Sequence, residues 1–278
     1  MDQFDGRVAV ITGAASGIGR GLAGKAAREG MQVVLADVEA DALEEAAADV
    51  DAIGAEHLVV SCDVSREDDV QALAARAFDA FGAVHLLCNN AGVFQAGVSW
   101  QRTQADWDWV FGVNVWGVLH GIRAFVPRIL DQGDEAHIVN TASMAGMLTV
   151  AYSSPYVVSK FAAVALSECL AHDLRAAGAS IGVSCLVPGT VDTRIADSTR
   201  NRPDRPLEEA PDHEFVAGVL REKTATEGRH PDEVADLVFD AVRAGRFWIP
   251  TTDRYEELLR PRFDAMLSRR MAPAADFD

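Results

Sequence analysis

The chain has 278 residues, of which 49% are hydrophobic and 24% charged. That is enough for one large domain with a substantial core, and length alone does not force two. The formal net charge of −17 speaks against a nucleic-acid partner, whose phosphates would be repelled, and suits an acidic, soluble surface. Four cysteines (Cys62, Cys88, Cys169, Cys185) form no C-x-x-C pair, and the seven histidines show no H-E-x-x-H spacing. Buried free thiols in a reducing compartment and no metal site are therefore expected.

In chain order, Met1 to Asp5 is short and acidic, without the basic and apolar regions of a signal peptide. Polar or charged residues interrupt every candidate for a span of about 18 apolar residues, so no membrane segment and a cytoplasmic location are expected. Short apolar runs then alternate with helix-length stretches. The runs are Val8–Ile11, Val33–Ala36, Leu58–Val60, Leu86–Cys88, Ile138–Val139, Cys185–Val187 and Phe247–Ile249. They do not alternate apolar with polar, which is how strands buried on both faces of a parallel sheet read. Helical stretches are expected over 39–53, 66–81, 106–131 and 155–177. The alternation predicts an α/β fold: a doubly wound, three-layer αβα sandwich on a seven-stranded parallel sheet.

After the first run comes Thr12-Gly13-Ala14-Ala15-Ser16-Gly17-Ile18-Gly19, then a helix. Its glycines let the backbone turn tightly against a pyrophosphate, and the helix N-terminus offers N–H groups to the anion. The spacing is neither G-x-G-x-x-G nor a Walker A loop. The second run ends at Asp37, whose carboxylate can accept hydrogen bonds from the adenosine ribose and would repel a 2′-phosphate. NAD is therefore favoured over NADP, although Asp37 could instead cap the next helix. Asp63 could reach the adenine edge or be a plain turn residue.

Tyr156-Val157-Val158-Ser159-Lys160 opens the helix over 155–177. Residues four apart share a helix face, so Lys160 can stand beside the Tyr156 phenol. An ammonium there, together with an oxidised nicotinamide, would lower the phenol's pKa toward that of a useful base. A Tyr-x-x-x-Lys by itself is common. Ser143, 13 residues upstream and just past a strand, can hold a substrate oxygen. Residues 192–230, rich in Arg, Asp, Glu and Pro around Arg202-Pro203-Asp204-Arg205-Pro206, follow a strand end where such sheets bind ligands. They form either a substrate lid or a surface excursion. The tail Ala272–Asp278 is expected to be frayed or docked on a neighbour.

With these pieces in order, the chain resembles the short-chain dehydrogenase/reductase family in its single-domain, NAD-preferring branch. The matching residues are Thr12-Gly13-x-x-x-Gly17-Ile18-Gly19, Asp63-Val64, Asn89-Asn90-Ala91-Gly92, Asn114, Ser143, Tyr156-x-x-x-Lys160 and Pro188-Gly189. The resemblance covers at least residues 6–194 and implies one Rossmann-like NAD-binding domain over 1–278. It implies Tyr156 as general acid/base, Lys160 as the group that lowers its pKa and holds the nicotinamide ribose, and Ser143 as the group positioning the carbonyl or hydroxyl. It also implies Asn114 as a helix kink anchoring a water that links Lys160 to solvent. The cofactor would touch Gly13, Ser16, Gly17, Ile18, Gly19, Asp37, Asp63, Val64, Asn90, Ala91 and Gly92, with Tyr156 and Lys160. Pro188, Gly189, Val191 and Thr193 would border its nicotinamide. Val93, Phe94, Gln95, Met144 to Leu148, Tyr152 and the chain from Ile195 onward are the expected walls of the substrate pocket.

The expected activity is NAD-dependent interconversion of a bulky, hydrophobic secondary alcohol and its ketone. The alternatives are an epimerase or dehydratase on the same fold, and a non-catalytic dinucleotide sensor. The apolar helices over 106–131 and 155–177, which family members pair, imply a homotetramer or homodimer.

Overall fold

The computed structural model describes residues 1–203 and 211–275. Seven strands form one parallel sheet: β1 Val8–Thr12, β2 Gln32–Asp37, β3 His57–Ser61, β4 Leu86–Asn89, β5 Ala136–Thr141, β6 Ile181–Val187 and β7 Trp248–Pro250, in the order β3-β2-β1-β4-β5-β6-β7. Each expected apolar run lies in one of them, except that Phe247 of the last run precedes β7. The runs read as continuous because both faces are covered. Along β1, Ala9 and Ile11 join one core cluster while Val8 and Val10 join the other. Successive side chains point to opposite faces, and here both faces are dry.

The helices are α1 Gly17–Arg28, α2 Ala40–Ile53, α3 Glu67–Phe81, α4 Gln104–Phe111, α5 Gly117–Gln132, α6 Ser154–Ala176, α7 Pro211–Glu227, α8 Pro231–Arg243 and α9 Tyr255–Leu267. Residues of α1, α2 and α8 build the first cluster, and those of α3, α5 and α6 the second. The sheet order reverses between β1 and β4, which opens a crevice at the carboxyl ends of those strands. That crevice positions the site.

Glycines let helices approach the sheet at defined points. A Cβ on Gly121 of α5 would lie 2.0 Å from Asn89 Oδ1. Asn89 in turn donates from Nδ2 to Asn140 Oδ1 (2.9 Å), and Asn140 donates to Ser167 Oγ on α6 (3.1 Å). This buried polar chain ties β4, β5 and α6 together.

Five expectations need correction. The stretch read as one helix over 106–131 is interrupted by a π-helical turn, Gly112–Trp116, between α4 and α5. The helical run Gln104–Gln132 does contain a window long and apolar enough to cross a membrane by composition. Half of that window is buried inside the fold, so its apolarity serves the core. The segment 192–230 is largely helical where described, with a 3-10 stretch Arg194–Asn201 and the 17-residue α7; positions 204–210 of the lid expectation lie outside the described residues. Cys169 is exposed, unlike Cys62, Cys88 and Cys185, because α6 turns it away from the sheet. The tail, described as far as Ala275, meets its own chain there: Ala275 N donates to Thr149 O (2.9 Å).

Candidate active site

A cleft of about 1090 Å³ opens at the carboxyl edge of the sheet, beyond the roughly 300–1000 Å³ of ordinary small-ligand pockets. Its floor at the β1 end is the glycine turn. Gly13 and Gly17 have φ of +68° and +53°, a region that favours glycine. Gly19 has no room for a side chain, since a Cβ would lie 1.9 Å from Gly13 O. The turn thus packs under itself, and Gly19 supports it from beneath while Gly13, Ser16, Gly17 and Ile18 line the cleft. Ser16 occupies the N-cap of α1, yet its side chain makes no capping hydrogen bond. The first N–H groups of α1 are left for an anion.

Asp37 closes this end. Its Oδ2 accepts from Ala15 N (2.9 Å), and its Oδ1 accepts from Val38 N and Glu39 N. It therefore both braces the turn into α2 and lines the cleft. Asp63 likewise does two things: Oδ1 accepts from Ser65 N and Ser65 Oγ, and the residue lines the cleft beside Val64. Asn90 locks the neighbouring loop, donating from Nδ2 to Thr12 O (3.0 Å) and accepting from Thr141 Oγ1 (3.2 Å). Ala91, Gly92, Pro188, Gly189, Val191 and Thr193 complete this wall.

The reactive end gathers Ser143, Tyr156 and Lys160 on the same cleft. Ser143 caps a 3-10 turn, its Oγ accepting from Ala145 N (3.1 Å). Tyr156 lies in the first turn of α6, with its ring edge-on to Phe94 at 5.1 Å between centroids. Lys160 is buried; its Nζ donates to Thr141 O (3.0 Å) and sits 5.7 Å from the Tyr156 ring centroid. Asn114 lies in the π-helical turn. Its Oδ1 accepts from Val93 N (2.8 Å), and its Nδ2 donates to Val93 O and Ser159 Oγ (both 2.9 Å). A Cβ on Gly92 would stand 3.3 Å from Lys160 Nζ and 3.5 Å from Asn114 Oδ1. The absent side chain brings these two polar atoms to one spot.

Burial governs the titration of this pair. It pushes the Tyr156 phenol above its ordinary value, and a hydrogen bond with Ser143 only partly offsets this. Burial also draws Lys160 down to about 8.

Four expected pocket residues do not line the cleft, Gly146 and Met147 among them. Tyr152 has φ of +57°, is 51% exposed and contributes its carbonyl to Gly97 N; the left-handed backbone swings its ring outward. Gln95 is fully buried behind the wall, donating to Ala96 O and accepting from Arg202 (3.4 Å). Val93, Phe94, Met144, Ala145, Leu148 and Ile195 do line the cleft. So do Trp109 and Val150, which the sequence did not single out, and Leu220 and Lys223, which fall in the stretch expected from Ile195 onward. Leu220 and Lys223 lie on α7, hidden in a segment whose composition suggested irregular chain.

The segment after β6 is pinned at both ends of the cleft. Glu39 receives Arg200 (2.6 Å), Asn201 (2.8 Å) and Arg194 (3.5 Å). Burial alone would raise this carboxyl, but these partners hold it below its usual value. At the other end Arg202 pairs with buried Asp106 and stands 5.6 Å from the Trp109 ring centroid.

Fold and cleft together define a Rossmann-like α/β protein with a ligand crevice at its topological switch point. A family model described as short chain dehydrogenase matches residues 7–204. A short-chain dehydrogenase/reductase from Burkholderia phymatum, solved in complex with NAD, is 44% identical with a TM-score of 0.97 over 99% of both chains. A 1-deoxy-11-beta-hydroxypentalenate dehydrogenase of Streptomyces exfoliatus is 37% identical over 93% of this chain and 87% of its own. A CLA biosynthesis dehydrogenase/reductase of Lactiplantibacillus plantarum is 33% identical over 94% of this chain and 93% of its own. The chain belongs to the short-chain dehydrogenase family. It is an oxidoreductase of that family, acting on CH–OH groups.

Proposed function

We propose that the protein is an NAD-dependent dehydrogenase interconverting a hydrophobic secondary alcohol and its ketone, with Tyr156 as the proton-transferring group. The observation that carries this reading is the convergence of Tyr156, Ser143 and Lys160 on the cleft that the glycine turn shares. NAD fits the binding end. The uncapped N-terminus of α1 suits its pyrophosphate, and the Asp37 carboxylate suits an unphosphorylated ribose. The Burkholderia relative's NAD complex supports the same assignment. When bound, NAD supplies the hydride acceptor.

The chain's own residues supply the rest. In oxidation the Tyr156 phenolate takes the alcohol proton while Ser143 donates a hydrogen bond to the oxygen that becomes the carbonyl. In reduction the protonated phenol returns that proton. Lys160 steadies the phenolate and offers Nζ to the nicotinamide ribose. Asn114 holds the 93 loop against Ser159, one residue from Lys160, and would place a water in the line from Lys160 to solvent. Phe94, Leu148, Ile195 and Leu220 suit an apolar substrate body, and the Streptomyces relative is named as a dehydrogenase of 1-deoxy-11-beta-hydroxypentalenate. In this single-domain reading the described parts of 192–230, Arg194–Asn201 and α7, cover the cleft as the lid. Pairing of the α5 and α6 faces, where Trp116, Leu130 and Val158 remain exposed, gives a homotetramer or homodimer.

The test is NADH formation at the nicotinamide absorbance band across a panel of secondary alcohols, in parent and Tyr156→Phe. Turnover is expected to fall about 10²- to 10⁴-fold in the variant while NAD still binds. Near-parental turnover in Tyr156→Phe removes the assignment.

A further inference from the structure

We propose that Lys223 is a substrate-specificity residue, and that the substrate is an anion: a hydrophobic alcohol or ketone carrying a carboxylate. This deepens the dehydrogenase reading above and rests on it.

Lys223 belongs to α7, which roofs the cleft. Val216 and Leu220 of that helix pack with Phe94, Ala96, Ile195 and Tyr156. Residues three or four apart share a helix face, so Lys223 continues the Leu220 side by one turn. It lines the same cleft as Tyr156. The walls on this side, Leu148, Val150, Ile195, Leu220 and Leu258, offer apolar contact.

The charges around the cleft single this lysine out. Arg194 and Arg200 pair with Glu39. Arg229 pairs with Glu233 (3.4 Å) and donates to Thr251 O (2.9 Å), and Arg254 pairs with Glu257 (2.9 Å). Lys160 is committed to Thr141 O. Among the described residues, Lys223 alone of the cations lining the cleft forms neither an ion pair nor a hydrogen bond. It is also half-buried. An ammonium partly withdrawn from water without a partner is unfavourable for folding. In a protein of net charge −17, whose overall field repels anions, it creates a local site for one.

Two anions could reach it: a carboxylate on the substrate or the pyrophosphate of the cofactor. The pyrophosphate already has the uncapped α1 N-terminus. Lys223 instead extends the apolar face that borders Tyr156. The substrate carboxylate is therefore the occupant. An apolar body along Ile195 and Leu220 would leave the carbinol at Tyr156 and the carboxylate at Lys223.

The experiment compares parent, Lys223→Met and Lys223→Arg on matched pairs of acid and neutral ester. The pairs are para-(hydroxyethyl)benzoate and hydroxystearate, each beside its methyl ester, at fixed NAD. A panel of neutral secondary alcohols and the NAD dissociation constant are read alongside. Loss of a charge-assisted hydrogen bond predicts that kcat/KM for an acid falls about ten- to hundredfold in Lys223→Met, mostly through KM. The ester changes much less, Lys223→Arg recovers most of the acid's rate, and NAD binding holds. A parent that oxidises neutral alcohols but shows no preference for either acid over its ester overturns the carboxylate assignment alone. So does a Lys223→Met variant that weakens NAD binding, or that loses acid and ester equally. A parent that makes no NADH from any acid, ester or neutral alcohol overturns the dehydrogenase reading itself.

Discussion

Burial draws the imidazole of His137 down to about 4, with the N-terminal ammonium adding to the shift, and a one-way hydrogen-bond chain fixes its tautomer. Ser184 Oγ donates to Arg246 O (2.6 Å), so it can only accept from His137 Nε2 (2.7 Å). That fixes the Nε2–H tautomer and turns Nδ1 toward Gly182, where a Cβ would stand 2.3 Å away. A second proton on Nδ1 finds no acceptor in this pocket. The folded pKa lies below the ordinary 6.5. Above pH 6.5 the ring is neutral both folded and unfolded and contributes no pH dependence. As pH falls from about 6.5 to about 4, the unfolded chain binds a proton that the folded chain refuses, and stability drops by roughly 3 kcal/mol. His137→Gln keeps a donor for Ser184 and removes the titration. Urea midpoints at pH 7 and pH 4.5 are expected to lie closer together in the variant than in the parent. Equal spacing would mean that His137 does not govern acid lability.

At the scale of elements, the strand–turn–helix from β1 to α1 was the most legible part of the chain. Its glycines sit where a carbonyl leaves no space, and that requirement is local. Gly19→Ala is expected to displace the Gly13 carbonyl, which lies 1.9 Å from the new Cβ. The strain should destabilise the protein by about 1–3 kcal/mol and weaken NAD binding at least tenfold, both measurable by thermal melts with and without NAD. An unchanged melting shift on adding NAD would show that the turn does not carry the cofactor. Helix α7 was the least legible. Its Pro, Asp, Glu and Arg content resembles a surface excursion, and its apolar side emerges only because Val216 and Leu220 find Phe94 and Ile195 across the cleft. The π-helical turn around Asn114 was half legible: the family resemblance implies a kink there, while nothing in Gly112-Val113-Asn114-Val115 by itself marks a change of helical pitch. The pitch changes where the Asn114 amide meets both backbone groups of Val93.

For the whole molecule, charge and apolar surface pull in different directions. A net charge of −17 favours dispersal. Yet Trp116 is 50% exposed, Leu130 44% and Val158 45%, on helices that the homotetramer proposal pairs. Light scattering at moderate salt is expected to report an oligomer of four chains, or two. A purely monomeric mass across the concentration range would end that proposal. Burying these side chains against a second copy would also explain how α4 and α5 can be apolar enough to pass for a membrane span while only half of that window is covered within one chain.

The sequence by itself determined the architecture and the chemical set. Strands covered on both faces must be continuously apolar, a turn against a phosphate must be glycine, and a Tyr–Lys pair four apart must share a helix face. Each of these constraints is local, so each leaves a local trace. Tertiary structure alone decided the rest. It turned Tyr152 out to solvent through a left-handed backbone and placed Gln95 behind the wall. It set Lys160 against the Thr141 carbonyl and buried the Tyr156 phenol, which raises it. It also left Lys223 without a partner beside an apolar cleft. These outcomes depend on what lies across the cleft from each residue, and residues far apart in the chain carry no mark of facing one another.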